Sequence, residues 1–217
     1  CNLLLADEIN RTSPKTQSAL LQIMEEYRVT VDGETYDLPE PFMVIATQNP
    51  IGSIGTQKLP ESQMDRFMVK LSMGYPSVED EITIMKSRSE NDKRKILSEC
   101  VLDNGDIQAI KEAVSDIYVD DSIYEYVANI VDKTRHRDNI IQGVSPRGSI
   151  SIISMAKAEA FLRGNEYVLP SDIKNIAVET LAHRLITNVA GAAGNEAAKK
   201  EITDILRMIP VPKMQEK

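Results

Sequence analysis

Two adjacent carboxylates, Asp7 and Glu8, stand at the end of the unbroken apolar run Leu3-Leu4-Leu5-Ala6. Such a run reads as a strand buried on both faces, as in a parallel sheet. In open α/β sheets the ligand crevice lies beyond the carboxyl ends of the strands. One acid placed there can hold Mg²⁺ through its waters, and its neighbour can orient a water for attack on a phosphate. The run Phe42-Met43-Val44-Ile45-Ala46-Thr47 repeats the pattern and ends in Gln48-Asn49-Pro50. As a second buried strand it would present Asn49 to the same crevice; the alternative for Asn49 is a turn residue before proline. A third feature is Ser145-Pro146-Arg147. Ser-Pro starts a helix, so Arg147 falls in the first turn, where a cation opposes the macrodipole at a cost of a few tenths to about 1 kcal/mol. A bound anion would offset that cost, as would a salt bridge to an acidic neighbour.

The elements that must position these groups are legible in part. Ser13-Pro14 is an N-cap followed by proline at the first helical position. Leu20, Ile23, Met24 and Tyr27 then recur at helical spacing. Asp32-Gly33 between β-rich flanks predicts a hairpin that pairs Val31 with Glu34, Thr30 with Thr35, Val29 with Tyr36 and Arg28 with Asp37. Gly52 and Gly55 mark a loop, and Pro60 opens a short helix ending near Asp65-Arg66. Phe67, Val69, Leu71 and Met73 alternate as a third strand.

From Ser77 onward the pattern is helical. Ser77 caps a helix through Ile82, Ile84 and Met85, a polar exposed stretch covers Ser87 to Lys95, and Asp106 caps a second helix. Another runs from about Asp121 to Arg135. The helix that Ser145 starts is apolar around most of its circumference, which predicts a central position. Leu169-Pro170-Ser171-Asp172 begins a further helix, with His183-Arg184 as cations at its C-terminus. Gly191 to Gly194 is a break before a last helix that Pro210-Val211-Pro212 ends.

Charged residues make up 27% and apolar ones 42% of the chain, a folded composition. A net charge of -8 with a pI near 4.9 argues against nucleic acid or an anionic membrane as the default partner. No apolar run reaches the roughly 20 residues that span a bilayer, and no signal peptide is visible. Cys1 and Cys100 form neither a metal spacing nor a disulfide framework, which fits a reducing cytosol. His136 and His183 are too few and too far apart in sequence to suggest a metal site.

Taken in order, Asp7-Glu8, the Asp-Gly hairpin, Ala46-Thr47-Gln48-Asn49-Pro50 and the segment from Leu59 to Phe67 resemble the MoxR group of AAA+ ATPases. The likeness continues through the second half. It implies an α/β P-loop NTPase core, its C-terminal part only, over residues 1–75, and an all-α lid over 76–217. By the resemblance Asp7 is the Walker B magnesium residue, Glu8 the catalytic glutamate, and Asn49 the sensor 1 residue on the water or the γ-phosphate. Arg66 becomes the arginine finger, reaching a neighbouring subunit's nucleotide; taken alone it reads as a surface ion pair with Asp65 or Glu61. Arg147 becomes the sensor 2 arginine on a phosphate, of its own subunit or the next.

ATP and Mg²⁺ are the implied cofactors, and a homo-oligomeric, hexameric ring the implied assembly. Von Willebrand factor A domain proteins are the implied partners, and the implied work is chaperone-like remodelling in the cytoplasm. The hairpin tip Asp32-Gly33-Glu34 lacks the Lys or Arg expected of a DNA-translocating relative. The alternatives are a non-catalytic interaction or oligomerisation module and a chelatase or DNA-processing relative of the same clade. The sequence has no G-x-x-x-x-G-K-[ST] loop, which in this family precedes the Walker B strand and is therefore expected upstream of Cys1. The chain alone is accordingly expected to bind ATP weakly or not at all. The strand Phe67–Met73 is expected to lack a neighbour on the Asn49 side, and the first 75 residues to be rearranged or paired across chains.

Overall fold

Within the first third of the chain the order is β1 (Leu3–Ala6), α1 (Pro14–Glu26), β2 (Arg28–Val31), β3 (Glu34–Asp37), β4 (Met43–Ala46) and α2 (Glu61–Met64). The remainder runs α3 (Val78–Ser89), α4 (Asn104–Asp116), α5 (Asp121–Arg135), β5 (Ile140–Gln142), α6 (Pro146–Leu162), α7 (Pro170–Leu181), β6 (Ile186–Thr187) and α8 (Ala192–Met208). This is a computed structural model that describes residues 2–49, 59–89, 101–189 and 192–212. The expected loop at Gly52 and Gly55, both cysteines, and the polar stretch from 90 to 95 lie outside the described residues.

The two apolar runs form β1 and β4, paired in parallel from Leu3↔Met43 to Ala6↔Ala46. Backbone bonds continue beyond the ladder: the Thr47 amide donates to the Ala6 carbonyl at 2.9 Å and the Ile9 amide to the Thr47 carbonyl at 3.0 Å. This part of the core is therefore not rearranged within the chain. Burial on both faces, however, is not what forms. Leu4, Ala6, Val44 and Ala46 pack against a small cluster with Ile9, Leu20 and Leu59, while on the other face Leu5 is 62% and Met43 58% exposed. Side chains alternate along a strand, and among the described residues only the α1 side is covered.

The hairpin forms in the register that its side-chain pairs predict, with Thr30 and Thr35 hydroxyls 3.0 Å apart and Arg28 on Asp37 at 2.7 Å. Asp32 and Gly33 both take positive φ, as a two-residue primed turn requires. The third strand does not form. Phe67–Met73 runs without a ladder partner among the described residues, and its Lys70 amide donates instead to the Glu179 carbonyl of α7 at 3.0 Å.

Ser13 and Ser77 cap α1 and α3 as their positions suggest, each accepting a backbone amide at 3.2 Å. The apolar residues of α3 nevertheless stay exposed. For α4 the cap is Asp103 rather than Asp106; the two carboxylates, three residues apart, cap reciprocally. Gly194 lies in the first turn of α8 rather than in a break. Helix α6 is central as expected, packed on α4, α5 and α7. Ile123, Ile130, Ile152, Ile173, Leu181 and Ile202 are fully buried in the helical core. At about 1.5–3 kcal/mol for each such side chain, apolar burial holds the helices together. Polar contacts between helices and core are left to set position.

Candidate functional site

The carboxyl ends of β1 and β4 meet where the backbone bonds of Thr47 join them. Glu8 sits in the left-handed region, with φ 48°, a conformation that costs a non-glycine residue of order 1 kcal/mol and persists where surroundings dictate it. Here they do: the Glu8 amide donates to Thr47 Oγ1 at 2.8 Å, and the same hydroxyl donates to Asp7 Oδ1. Thr47 thereby orients both acids. The Glu8 carboxylate accepts from Asn49 Nδ2 at 3.1 Å through Oε1, and Arg11 Nε lies 3.2 Å from its Oε2. Asn49 is held in turn by the buried Asn10, whose Nδ2 donates to the Asn49 carbonyl at 3.2 Å and whose Oδ1 accepts the Asn49 amide at 3.4 Å. Asp7 and Glu8, 42 and 41 residues before Asn49 in the chain, thus form one cluster with it. Asp7 presents an exposed carboxylate at its edge.

The two arginines gather elsewhere. Arg66 Nη1 pairs with Glu25 Oε2, and Arg147 Nη2 donates to Glu25 Oε1 at 2.5 Å. One carboxylate in the last turn of α1 therefore takes one guanidinium on each oxygen. The partner of Arg66 is neither Asp65 nor Glu61, and the acidic neighbour of Arg147 lies 122 residues away in sequence. From Pro14 to Glu25 the helix rises about 16 Å at 1.5 Å per residue. Asp7 and Glu8 lie near its N-terminal end, where Gln17 Nε2 donates to the Ile9 carbonyl at 3.1 Å. The arginine pair and the carboxylate cluster are thus at opposite ends of one helix.

Residues 1–69 match the ATPase family associated with various cellular activities (AAA), and residues 132–205 match the AAA lid domain. The uncharacterised protein YeaC of Bacillus subtilis is 45% identical over 97% of this chain and 66% of its own length. Chaperone MoxR1 of Mycobacterium tuberculosis is 36% identical over 98% of this chain and 58% of its own. The chain belongs to the MoxR family of AAA+ ATPases. A crystal structure of a Cytophaga hutchinsonii protein assigned as an ATPase superposes with a TM-score of 0.87 at 36% identity, covering 98% of this chain and 67% of that one. The chain spans less than two thirds of the length of these curated relatives. In this MoxR-family chain, β1 to α2 belong to the C-terminal part of an AAA+ core, and the later helices form its lid.

Several residues that organise the site carry no signal of their own in the sequence. Thr47 lies inside one of the motifs that carry the resemblance and Asn10 two residues beyond another, and polar residues flanking a strand end could have been enlisted with Asp7 and Glu8. Glu25 reads as one of several helix-surface acids. His183 and Arg184, which read as cations at a helix C-terminus, are enclosed between lid and core. Burial, aided by the Arg184 and Lys70 charges, lowers the His183 pKa to about 4. Its Nε2 donates to the Phe67 carbonyl at 3.0 Å, which places the proton of the neutral ring on that nitrogen. Among the described residues no group of three or more His, Cys, Asp and Glu could enclose a metal ion, and no helix is long and apolar enough to cross a membrane. A lone exposed carboxylate suits Mg²⁺, which keeps most of its waters and takes one or two carboxylates plus phosphate oxygens. The donor set at Asp7 fits that ion.

Proposed function

We propose that this chain supplies the water-activating half of an ATP-hydrolysing site, with Asp7, Glu8 and Asn49 as its working groups. The observation that carries the reading is the bond from Asn49 Nδ2 to Glu8 Oε1, 3.1 Å long, at strand ends that Thr47 ties together. Asp7 would hold Mg²⁺, mainly through its waters, and the ion when bound would neutralise phosphate charge. Glu8 accepts a hydrogen bond from the attacking water and aligns it with the phosphorus. Asn49 keeps the Glu8 carboxylate facing that water. Positioning of this kind is most of what phosphoryl transfer needs from a protein.

Arg66 and Arg147 serve the nucleotide of an adjacent subunit. Their shared anchor at the far end of α1 supports this, since guanidiniums gathered there are remote from Asp7 and Glu8 of the same chain. Two cations facing a neighbour's phosphates would stabilise charge in the transition state. The full-length protein on this reading is an ATP-driven, chaperone-like remodelling protein of the cytoplasm that works as a hexameric ring. It divides into a core to residue 75 and a lid from 76, and it acts with von Willebrand factor A domain partners. The exposed acidic hairpin tip at Asp32 and Glu34 favours protein over nucleic acid as its substrate. The test is Glu8→Gln in the full-length protein. Steady-state ATP turnover is expected to fall at least about 100-fold, the scale of losing a general base, with nucleotide affinity kept. Turnover within twofold of wild type would overturn the reading.

A further inference from the structure

Arg184 lies in the single 3₁₀ turn that follows α7, with its side chain 1% exposed. Its guanidinium has five N–H donors, and five acceptors surround it. Nε donates to the Thr180 carbonyl at 2.9 Å. Nη1 donates to the Asp65 carbonyl and to Asp65 Oδ1, both at 2.6 Å. Nη2 donates to the Phe67 carbonyl at 2.8 Å and to Ser151 Oγ at 3.0 Å. Two of these acceptors are the backbone carbonyls on either side of Arg66. One buried group of the lid therefore grips the core segment from both flanks of that arginine.

The grip extends to the other arginine. Asp65 Oδ2 accepts from Ser145 Oγ at 2.8 Å, and Ser145 is the N-cap residue of α6, two positions before Arg147. A serine at that position ordinarily turns its hydroxyl onto an amide of its own helix. Ser145 makes no such bond and spends the hydroxyl on Asp65. Arg184, Asp65 and Ser145 thus link the backbone of Arg66 to the start of the helix bearing Arg147. At the tips, Glu25 takes both guanidiniums on one carboxylate.

We infer that Arg184 is a positioning residue: it fixes the spacing of Arg66 and Arg147 so that the two act as one receptor for a phosphate of the adjacent subunit, with Glu25 holding the pair until that phosphate arrives. The inference rests on the reading above that both arginines work across a subunit boundary. A planar guanidinium suits the task because it bridges carbonyls on two residues and a carboxylate at once. An ammonium at the same place keeps the charge but loses the fork.

The test measures ATP turnover by the full-length protein carrying Glu8→Gln, Arg66→Ala or Arg184→Lys, alone and in equimolar mixtures assembled together. Alone, Arg184→Lys is expected to lower kcat about 10- to 100-fold, the scale of an ångström-sized misplacement. A Glu8→Gln chain is dead at its own site but donates intact arginines; an Arg184→Lys chain is the converse. In a head-to-tail ring assembled at random, about a quarter of the interfaces join the two intact halves. Turnover of that mixture should therefore rise well above both parents. The Arg66→Ala mixture with Glu8→Gln should rise likewise.

Wild-type kcat for Arg184→Lys would overturn the inference. So would recovery with Arg66→Ala but not with Arg184→Lys, which leaves the cross-subunit reading standing. Recovery with neither variant would overturn that reading itself. Asp65→Asn, which weakens the grip and keeps the guanidinium, is the second variant should Arg184→Lys not fold. It is expected to show a smaller kcat loss, complemented in the same way, and a loss not complemented would count against the inference.

Discussion

His183 ties the stability of the lid–core junction to pH. Its imidazole is neutral in the fold, with a pKa lowered to about 4 chiefly by burial and further by the Arg184 and Lys70 charges. In the unfolded chain the same group titrates near 6.5. Between these values the unfolded state binds the extra proton, so stability rises with pH. The contribution is fully present above about pH 6.5 and is lost as pH falls from there toward 4. Linkage across that window gives about 2 kcal/mol between pH 7 and pH 5, and about 3 kcal/mol by pH 4. The assay is urea unfolding of the chain at half-unit steps from pH 7.5 to 4.5, compared with His183→Gln. Glutamine retains an N–H for the Phe67 carbonyl and does not titrate. Carboxylates contribute to both proteins alike, so the difference isolates the imidazole. The wild type should lose about 2 kcal/mol more than the variant between pH 7 and pH 5. Parallel curves would refute a neutral, enclosed His183.

Gly148→Ala places a Cβ 2.3 Å from Val144 Cγ1 and 3.0 Å from Arg184 Cδ, so urea unfolding should report a loss of about 1–3 kcal/mol from overpacking. Thr134 is buried, donates to the Val131 carbonyl at 2.6 Å and accepts the Val144 amide at 3.0 Å. Thr134→Val leaves that amide without its partner and should cost about 1–3 kcal/mol in the same assay. Titration calorimetry of this chain with MgATP should detect no binding tighter than millimolar, because the sequence lacks the phosphate loop whose amides and lysine carry most of the phosphate contacts; micromolar affinity would contradict this.

Much of the site was legible along the chain, and the reason is locality. An apolar run that stops at Asp7-Glu8, an Asp-Gly turn and a Ser-Pro helix start are each decided by a few neighbouring residues. Hence the β1–β4 ends, the hairpin register and the placement of Arg147 in the first turn of α6 agree with the sequence pattern. The alternation at Phe67–Met73 misled because period-two patterning states which residues suit a strand, not whether a partner strand stands beside it. The same gap lies behind the open face of β1, where the apolar run says nothing of what covers it.

What the sequence determined by itself, then, was chemistry at strand and helix ends: two acids, an amide and two arginines in the order of a MoxR-family AAA+ protein. Tertiary structure alone decided which of them meet. Glu25 collects Arg66 and Arg147, and Arg184 grips the carbonyls on either side of Arg66 from 119 and 117 residues away. Such contacts depend on how the lid docks on the core, and burial turned two apparent helix-end cations into a neutral imidazole and a fully bonded guanidinium.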